Sequence, residues 1–138
     1  MSVSAEGTLT ILVVEDDEAV AELLREVLND VPGWGATVVH DAAAARVVFH
    51  YVQIDVMVLD LNLPGISGLE LLELLRRDAE WRDPPVILIS AAPTQPCVHD
   101  ALERGTALRI IPKPFDVDHL VEAVHVAVAE QIGADPPH

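Results

Sequence analysis

Short apolar runs alternate with segments of helical spacing along this whole chain, and that alternation limits the fold more than any other feature. Leu9 to Val14 reads as a buried strand, Ala36 to His40 as a shorter one, and Ile54 to Leu59 as the most apolar. Val86 to Ile89 and Leu108 to Ile111 supply a fourth and a fifth. Between them, Glu18 to Leu28 carries apolar residues at Val20, Leu23, Leu24, Val27 and Leu28, the spacing of one helix face. Asp17 and Asp41 stand where helix caps belong, the latter before an alanine-rich helix through His50. Ser67 with Glu70 matches a capping box ahead of a leucine-rich helix, Leu69 to Arg77. Val98 to Arg104 makes a short helix that Gly105 can end, and Asp116 caps a last helix through Ile132.

Pro32 to Gly35, Pro64 to Gly68, Asp83-Pro84-Pro85 and Ala91 to Pro96 read as turns and loops. Strands that alternate with helices in this way build a parallel sheet covered on both faces. In such sheets ligands bind beyond the carboxyl ends of the strands. A length of 138 residues, about half of them hydrophobic, fits one domain with a real core.

The residues at those strand ends are the ones with chemistry. The first strand runs into Glu15-Asp16-Asp17, the third into Asp60 and the fourth into Ser90. The fifth runs into Lys113, the only lysine beside seven arginines. A compact ammonium and a planar guanidinium are not equivalent, so a lone lysine points to a specific need. Several carboxylates brought together repel, and a hard divalent cation such as Mg2+ relieves them through oxygen ligands. Asp16 and Asp60 are the best direct ligands, with Glu15 beside them or acting through a water. Asp17 reads better as a helix cap. A carboxylate can also accept a phosphoryl group, and it then needs a cation, a hydroxyl and an ammonium around the transferred oxygens. Ser90 and Lys113 offer the last two. Alone, Ser90 would be a strand-end cap and Lys113 a solvated lysine; the joint pattern carries the argument.

The formal net charge of -15 disfavours direct contact with nucleic acid. It suits a basic partner or a divalent cation, and equally an acidic or salt-adapted proteome. One cysteine, Cys97 at a helix start, excludes an intrachain disulfide. The first eight residues lack the basic and apolar regions of a secretory signal. No apolar run approaches the roughly 18 residues of a membrane span. The expectation is a cytoplasmic protein without membrane contact. The six histidines show no metal-ligand spacing and read as surface or structural. Trp34 and Trp81 should cover core edges. Leu120, Val121, Val124, Val126 and Val128 spread around the last helix, which fits either broad burial or a docking and dimerisation face.

Taken together, these residues resemble the receiver domain of bacterial two-component response regulators, over about Leu9 to Ile132. The motifs are Glu15-Asp16, Asp60 with Pro64-Gly65 and Gly68, Ser90-Ala91, and Lys113-Pro114-Phe115. The resemblance implies a flavodoxin-like, doubly wound sheet of five parallel strands in the order 2-1-3-4-5, with five helices. Residues 9–132 would be the receiver domain, and 1–8 and 133–138 flexible termini. Asp60 would be the phosphoacceptor, supplied by a sensor histidine kinase or a histidine phosphotransfer protein. Glu15, Asp16, Asp60 and the backbone carbonyl of Asn62 would hold Mg2+. Asp60, Ser90 and Lys113 would form the catalytic set, Ser90 moving toward the phosphoryl group and Lys113 pairing with it. The Lys113–Pro114 bond would be cis.

Two features depart from the family pattern. Ile110 stands at the switch position, three residues before the lysine, where an aromatic is common. Ala92 to Pro96 replaces the more regular start of the fourth helix. Both lie on the usual signalling face of fourth helix, fifth strand and fifth helix, which would also carry any homodimer. The domain would serve its own phosphorylation and dephosphorylation and turn over no external metabolite. The competing readings are a phosphorylation-independent pseudo-receiver, and a Mg2+-dependent aspartyl phosphatase. The latter often carries an acid two residues after its nucleophile, where this chain has Asn62.

Overall fold

The structure is a computed structural model that describes residues 8–105, 107 and 109–134, with side chains described through residue 130. In chain order the elements are β1 (Leu9–Val14), α1 (Glu18–Asn29), β2 (Trp34–Val39), α2 (Ala42–Tyr51) and β3 (Val56–Asp60). There follow β4 (Asn62–Leu63), β5 (Ile66–Ser67), α3 (Gly68–Arg76), β6 (Val86–Ser90), α4 (Pro96–Glu103), β7 (Arg109–Pro112) and α5 (Val117–Ala134). The main sheet is parallel, in the order β2-β1-β3-β6-β7. Counting its five strands alone, this is 2-1-3-4-5, the order expected above.

Alternate residues of each central strand enter different layers, as the period of two requires. Ile11 and Val13 of β1, Val56 and Val58 of β3, and Ile87 and Ile89 of β6 pack with Leu24, Leu28, Leu120 and Val124 of α1 and α5. Leu12 and Val14, Met57 and Leu59, and Val86 and Leu88 pack instead with Phe49 of α2, Leu71, Leu72 and Leu75 of α3, and Ala101 of α4. Central strands buried on both faces read as nearly unbroken apolar runs, and this is why they were legible.

The helix starts follow their caps. Asp17 accepts hydrogen bonds from the N–H groups of Ala19 and Val20, and Asp41 accepts one from Ala44. Ser67 and Glu70 close the capping box in both directions. The Asp116 carboxylate accepts from the N–H of Asp118 at the start of α5. Gly105, at φ 73°, ends the turn after α4 as expected.

Several details differ from the expectation. Pro64-Gly65 does not sit in a plain loop but turns a small antiparallel hairpin, with Asn62 opposite Ser67 and Leu63 opposite Ile66. Two-residue strands carry too little pattern to read. Trp34 and Gly35 belong to β2 and not to a turn, because Gly33 takes the positive φ and completes the reversal. Helix α4 begins at Pro96, whose fixed φ suits a first helical position. Helix α5 runs to Ala134, so Gly133 is helical instead of part of a tail. The other residues assigned to the flexible ends, 1–7 and 135–138, and the expected strand start at Leu108, lie outside the described residues.

Leu120 and Val124 of α5 are buried, and Val121, Val126 and Val128 are half-buried. Broad burial therefore accounts for the apolar breadth of this helix. Trp34 covers one core edge beside His125, and Trp81 stacks on Phe49 at the other. No helix among the described residues is long and apolar enough to cross a membrane.

Candidate functional site

Because the sheet is parallel, the carboxyl ends of β1, β3, β6 and β7 open on one edge. Glu15 and Asp16 follow β1 directly, Asp60 and Ser90 are the last residues of β3 and β6, and Lys113 follows β7. Glu15, Asp60 and Ser90 are buried polar residues, while Asp16 is exposed. Oxygens from Glu15, Asp16 and Asp60 lie within 4.8 Å of one another.

Lys113 bridges Glu15 and Asp60. Its Nζ lies 3.1 Å from Glu15 Oε1 and 3.2 Å from Asp60 Oδ2. Its stem is fixed at the backbone, where the Lys113 N–H donates to the Ser90 carbonyl at 2.8 Å. The Lys113–Pro114 bond is cis, as expected. Asp60 Oδ1 accepts from the Asn62 N–H at 3.0 Å, and Glu15 Oε2 from the Asp17 N–H at 3.2 Å. His40 Nδ1 lies 3.1 Å from the Glu15 carbonyl oxygen, a structural role of the kind expected for the histidines.

Burial pushes the Glu15 carboxyl up to about 7, and the neighbouring Asp60 adds to the rise. The Asp17 N–H and Lys113 oppose it only in part. For Lys113, burial alone would favour loss of the proton, but the hydrogen bonds and charges of Glu15 and Asp60 outweigh it and raise the ammonium above its ordinary value.

A hard cation fits these residues. Glu15 Oε1 is fully buried and, despite the nearby ammonium, accepts no well-directed hydrogen bond. A buried carboxylate oxygen left in that state is costly. The donor set is all oxygen, which matches Mg2+.

The Glu15 shift links stability to pH. Its carboxyl is raised in the folded state, so the folded protein holds a proton that the unfolded chain releases near the ordinary value of 4.5. Without metal, stability is therefore lost as pH rises from 4.5 to about 7, and the loss is complete above 7. Glu15→Gln copies the protonated form. In chelator at pH 8 it is expected to raise unfolding stability by about 2–3 kcal/mol, with the gain gone near pH 4.5. Denaturant titrations at the two pH values check this. The same variant is expected to weaken Mg2+ binding about tenfold or more, since one anionic ligand is lost.

Ser90 lies at the site edge, but its hydroxyl is engaged elsewhere. The Oγ accepts from the Ala92 N–H at 3.0 Å, and among the described residues it makes no hydrogen bond to Asp60 or Lys113. Asn62 is exposed and offers its N–H to Asp60. Ile110 is not in the cluster. It sits inside β7 opposite Leu88 and packs half-buried against the core.

One site residue gains a role that its motif alone did not explain. A Cβ on Gly68 would lie 2.4 Å from the Asp60 carbonyl oxygen, so α3 approaches the Asp60 backbone as closely as glycine allows. The Gly68 N–H also donates to Leu61 O at 2.7 Å. Gly65, by contrast, meets nothing and serves its positive φ of 79° in the hairpin turn.

The family model described as the response regulator receiver domain matches residues 11–125. The chain is 26% identical to the chemotaxis protein CheY of Pseudomonas aeruginosa over 116 residues, covering 84% of this chain and 93% of that protein. It is 34% identical to the sensory transduction protein RegX3 of Mycobacterium tuberculosis over 126 residues. That match covers 91% of this chain but 53% of RegX3, so the chain spans about half the length of that relative. The receiver domain of the Francisella response regulator 1452 superposes with a TM-score of 0.78 at 27% identity, covering 90% of this chain and 99% of that one. An acidic cluster and a lysine at the carboxyl edge of a 2-1-3-4-5 sheet thus coincide with a family match over most of the sequence, and the chain belongs to the response regulator receiver domains of two-component systems.

Proposed function

We propose that residues 9–132 form a phosphoacceptor switch in which a histidine kinase or phosphotransfer protein phosphorylates Asp60. The observation that carries this reading is one buried carboxylate, Asp60, flanked by two more acids and held by the only lysine of the chain. A carboxylate oxygen of Asp60 forms the new bond to phosphorus as the bond to the donor imidazole breaks, and the imidazole leaves with the electron pair. Mg2+ held by Glu15, Asp16, Asp60 and the Asn62 carbonyl would supply positive charge to the phosphoryl oxygens. Lys113 exchanges its contact with Asp60 for one with the incoming phosphoryl oxygens. Ser90 turns its hydroxyl to them, and so gives up the Ala92 N–H.

That exchange connects the chemistry to the loop before α4. Helix α4 has no side-chain cap at Gln95, so its start lacks the side-chain hydrogen bond that the starts of α1, α2 and α3 have. Release of Ala92 shifts the population of this loop, and with it the α4–β7–α5 face that would bind a partner or a second copy. Ile110 is an aliphatic part of the core and supplies no ring for this step. The protein turns over no external metabolite, and a cytoplasmic setting suits a kinase-fed switch.

Beryllofluoride with Mg2+ imitates the acyl phosphate and tests the switch without a donor. The expected result is a large change in the amide resonances of Ala92 and Lys113. An unchanged spectrum would favour the phosphorylation-independent pseudo-receiver. Turnover of a small phosphomonoester would favour the phosphatase, which the amide side chain of Asn62 disfavours because it cannot act as general acid.

A further inference from the structure

A second feature lies between the helices that follow the site. A groove of about 200 Å³ runs between α3 and α4, lined by Leu69, Glu70, Glu73, Cys97, Asp100, Ala101 and Arg104. Its floor is apolar: Ala101 is buried, Leu69 is half-buried, and Cys97 adds its exposed thiol. Its rim carries three acids against one base. The base is already engaged, with Arg104 Nε 3.1 Å from Asp100 Oδ2. Glu70 is tied to the capping box through the Ser67 N–H, and Glu73 makes no ion pair among the described residues.

We infer that this groove docks a short basic amphipathic helix of a partner protein. An apolar floor needs an apolar side chain to cover it, and a rim with net negative charge needs lysine or arginine beside that side chain. The formal charge of -15 steers the same kind of partner toward the chain. An acidic or neutral peptide meets the rim unfavourably, and a purely polar basic one leaves the floor bare. A second copy of this chain would bring further acid to an acidic rim. Both walls begin beside the phosphorylation residues, α3 after the Asp60 hairpin and α4 after the Ser90 loop. The groove is present in the unphosphorylated chain, so docking is tested there without phosphorylation.

Cys97 is the only cysteine, so its reaction with a thiol reagent reports on the groove alone. The probe is a synthetic leucine–lysine peptide of about 14 residues, long enough for three to four helical turns, with leucines on one face. The control has the same composition in an order that destroys that face. The expected result is that the amphipathic peptide slows Cys97 modification about tenfold at saturation, and the control does not. Glu73→Lys with Asp100→Lys is expected to weaken binding about tenfold or more, while Glu122→Lys with Glu130→Lys on α5 changes it less than about twofold. Glu70 is left intact because it caps α3, and Glu73→Lys alone serves if the double variant fails to fold. Equal loss from both pairs, or binding without protection of Cys97, would show only attraction to an acidic protein and overturn the inference. Protection of Cys97 that grows with protein concentration and needs no peptide would assign the groove to a second copy and overturn it equally.

Discussion

Lys113→Ala is expected to slow phosphorylation of Asp60 by a small-molecule donor about 10²- to 10³-fold, the usual effect of losing one preorganised charge at a reacting oxygen. The ammonium touches both Glu15 and Asp60, and among the described residues no other cation pairs with either acid. Lys113→Arg is expected to recover only part of the loss. A planar fork cannot place one compact charge between two carboxylates in the same way. The alanine variant also leaves two buried acids without their partner. In chelator at neutral pH it is expected to lose about 1–3 kcal/mol of stability, and Mg2+ should restore part of that. Rate and denaturant measurements on the same preparations check both effects. Normal phosphorylation in Lys113→Ala would remove the lysine from the site chemistry.

Gly68→Ala tests the support beneath the proposed acceptor, Asp60. The added methyl would meet the Asp60 carbonyl oxygen at 2.4 Å, a separation that backbone atoms cannot accept. Either α3 moves away from β3 or the Asp60 backbone shifts. Overpacking of this kind costs about 1–3 kcal/mol, read as a lower denaturation midpoint. Displacement of a reacting group by about 1 Å can cost about 10²-fold, so phosphorylation should fall with stability. Gly65→Ala is the useful contrast. It meets no atom within 4 Å and strains only the turn, so it should spare the chemistry more than Gly68→Ala does.

These two positions also show what the sequence could and could not disclose. Lys113, Glu15 and Asp60 were legible because strand ends are marked by a change from apolar to charged residues. A parallel sheet then brings such ends to one edge whatever their separation in the chain. Gly68 was visible as part of a motif, but its purpose is a clearance between α3 and β3, and clearances have no sequence period. The Ser90 hydroxyl bond to Ala92 depends on a loop path that no spacing rule describes. The β4–β5 hairpin was too short to show alternation. The apolar spread of α5 fitted burial and docking equally, and only the fold shows Val121, Val124 and Val128 packing with α1 and the sheet. Ile110 departs from the family pattern at the switch position. The fold adds that its side chain is engaged with the core.

Phosphorylation of Asp60 is read most directly from intact mass after incubation with Mg2+ and acetyl phosphate, for the parent and for Asp60→Asn. A gain of one phosphoryl group, about 80 Da, is expected in the parent only and only with Mg2+ present. A gain of the same size in Asp60→Asn would contradict Asp60 as the acceptor, since the phosphoryl group would then reside on another residue.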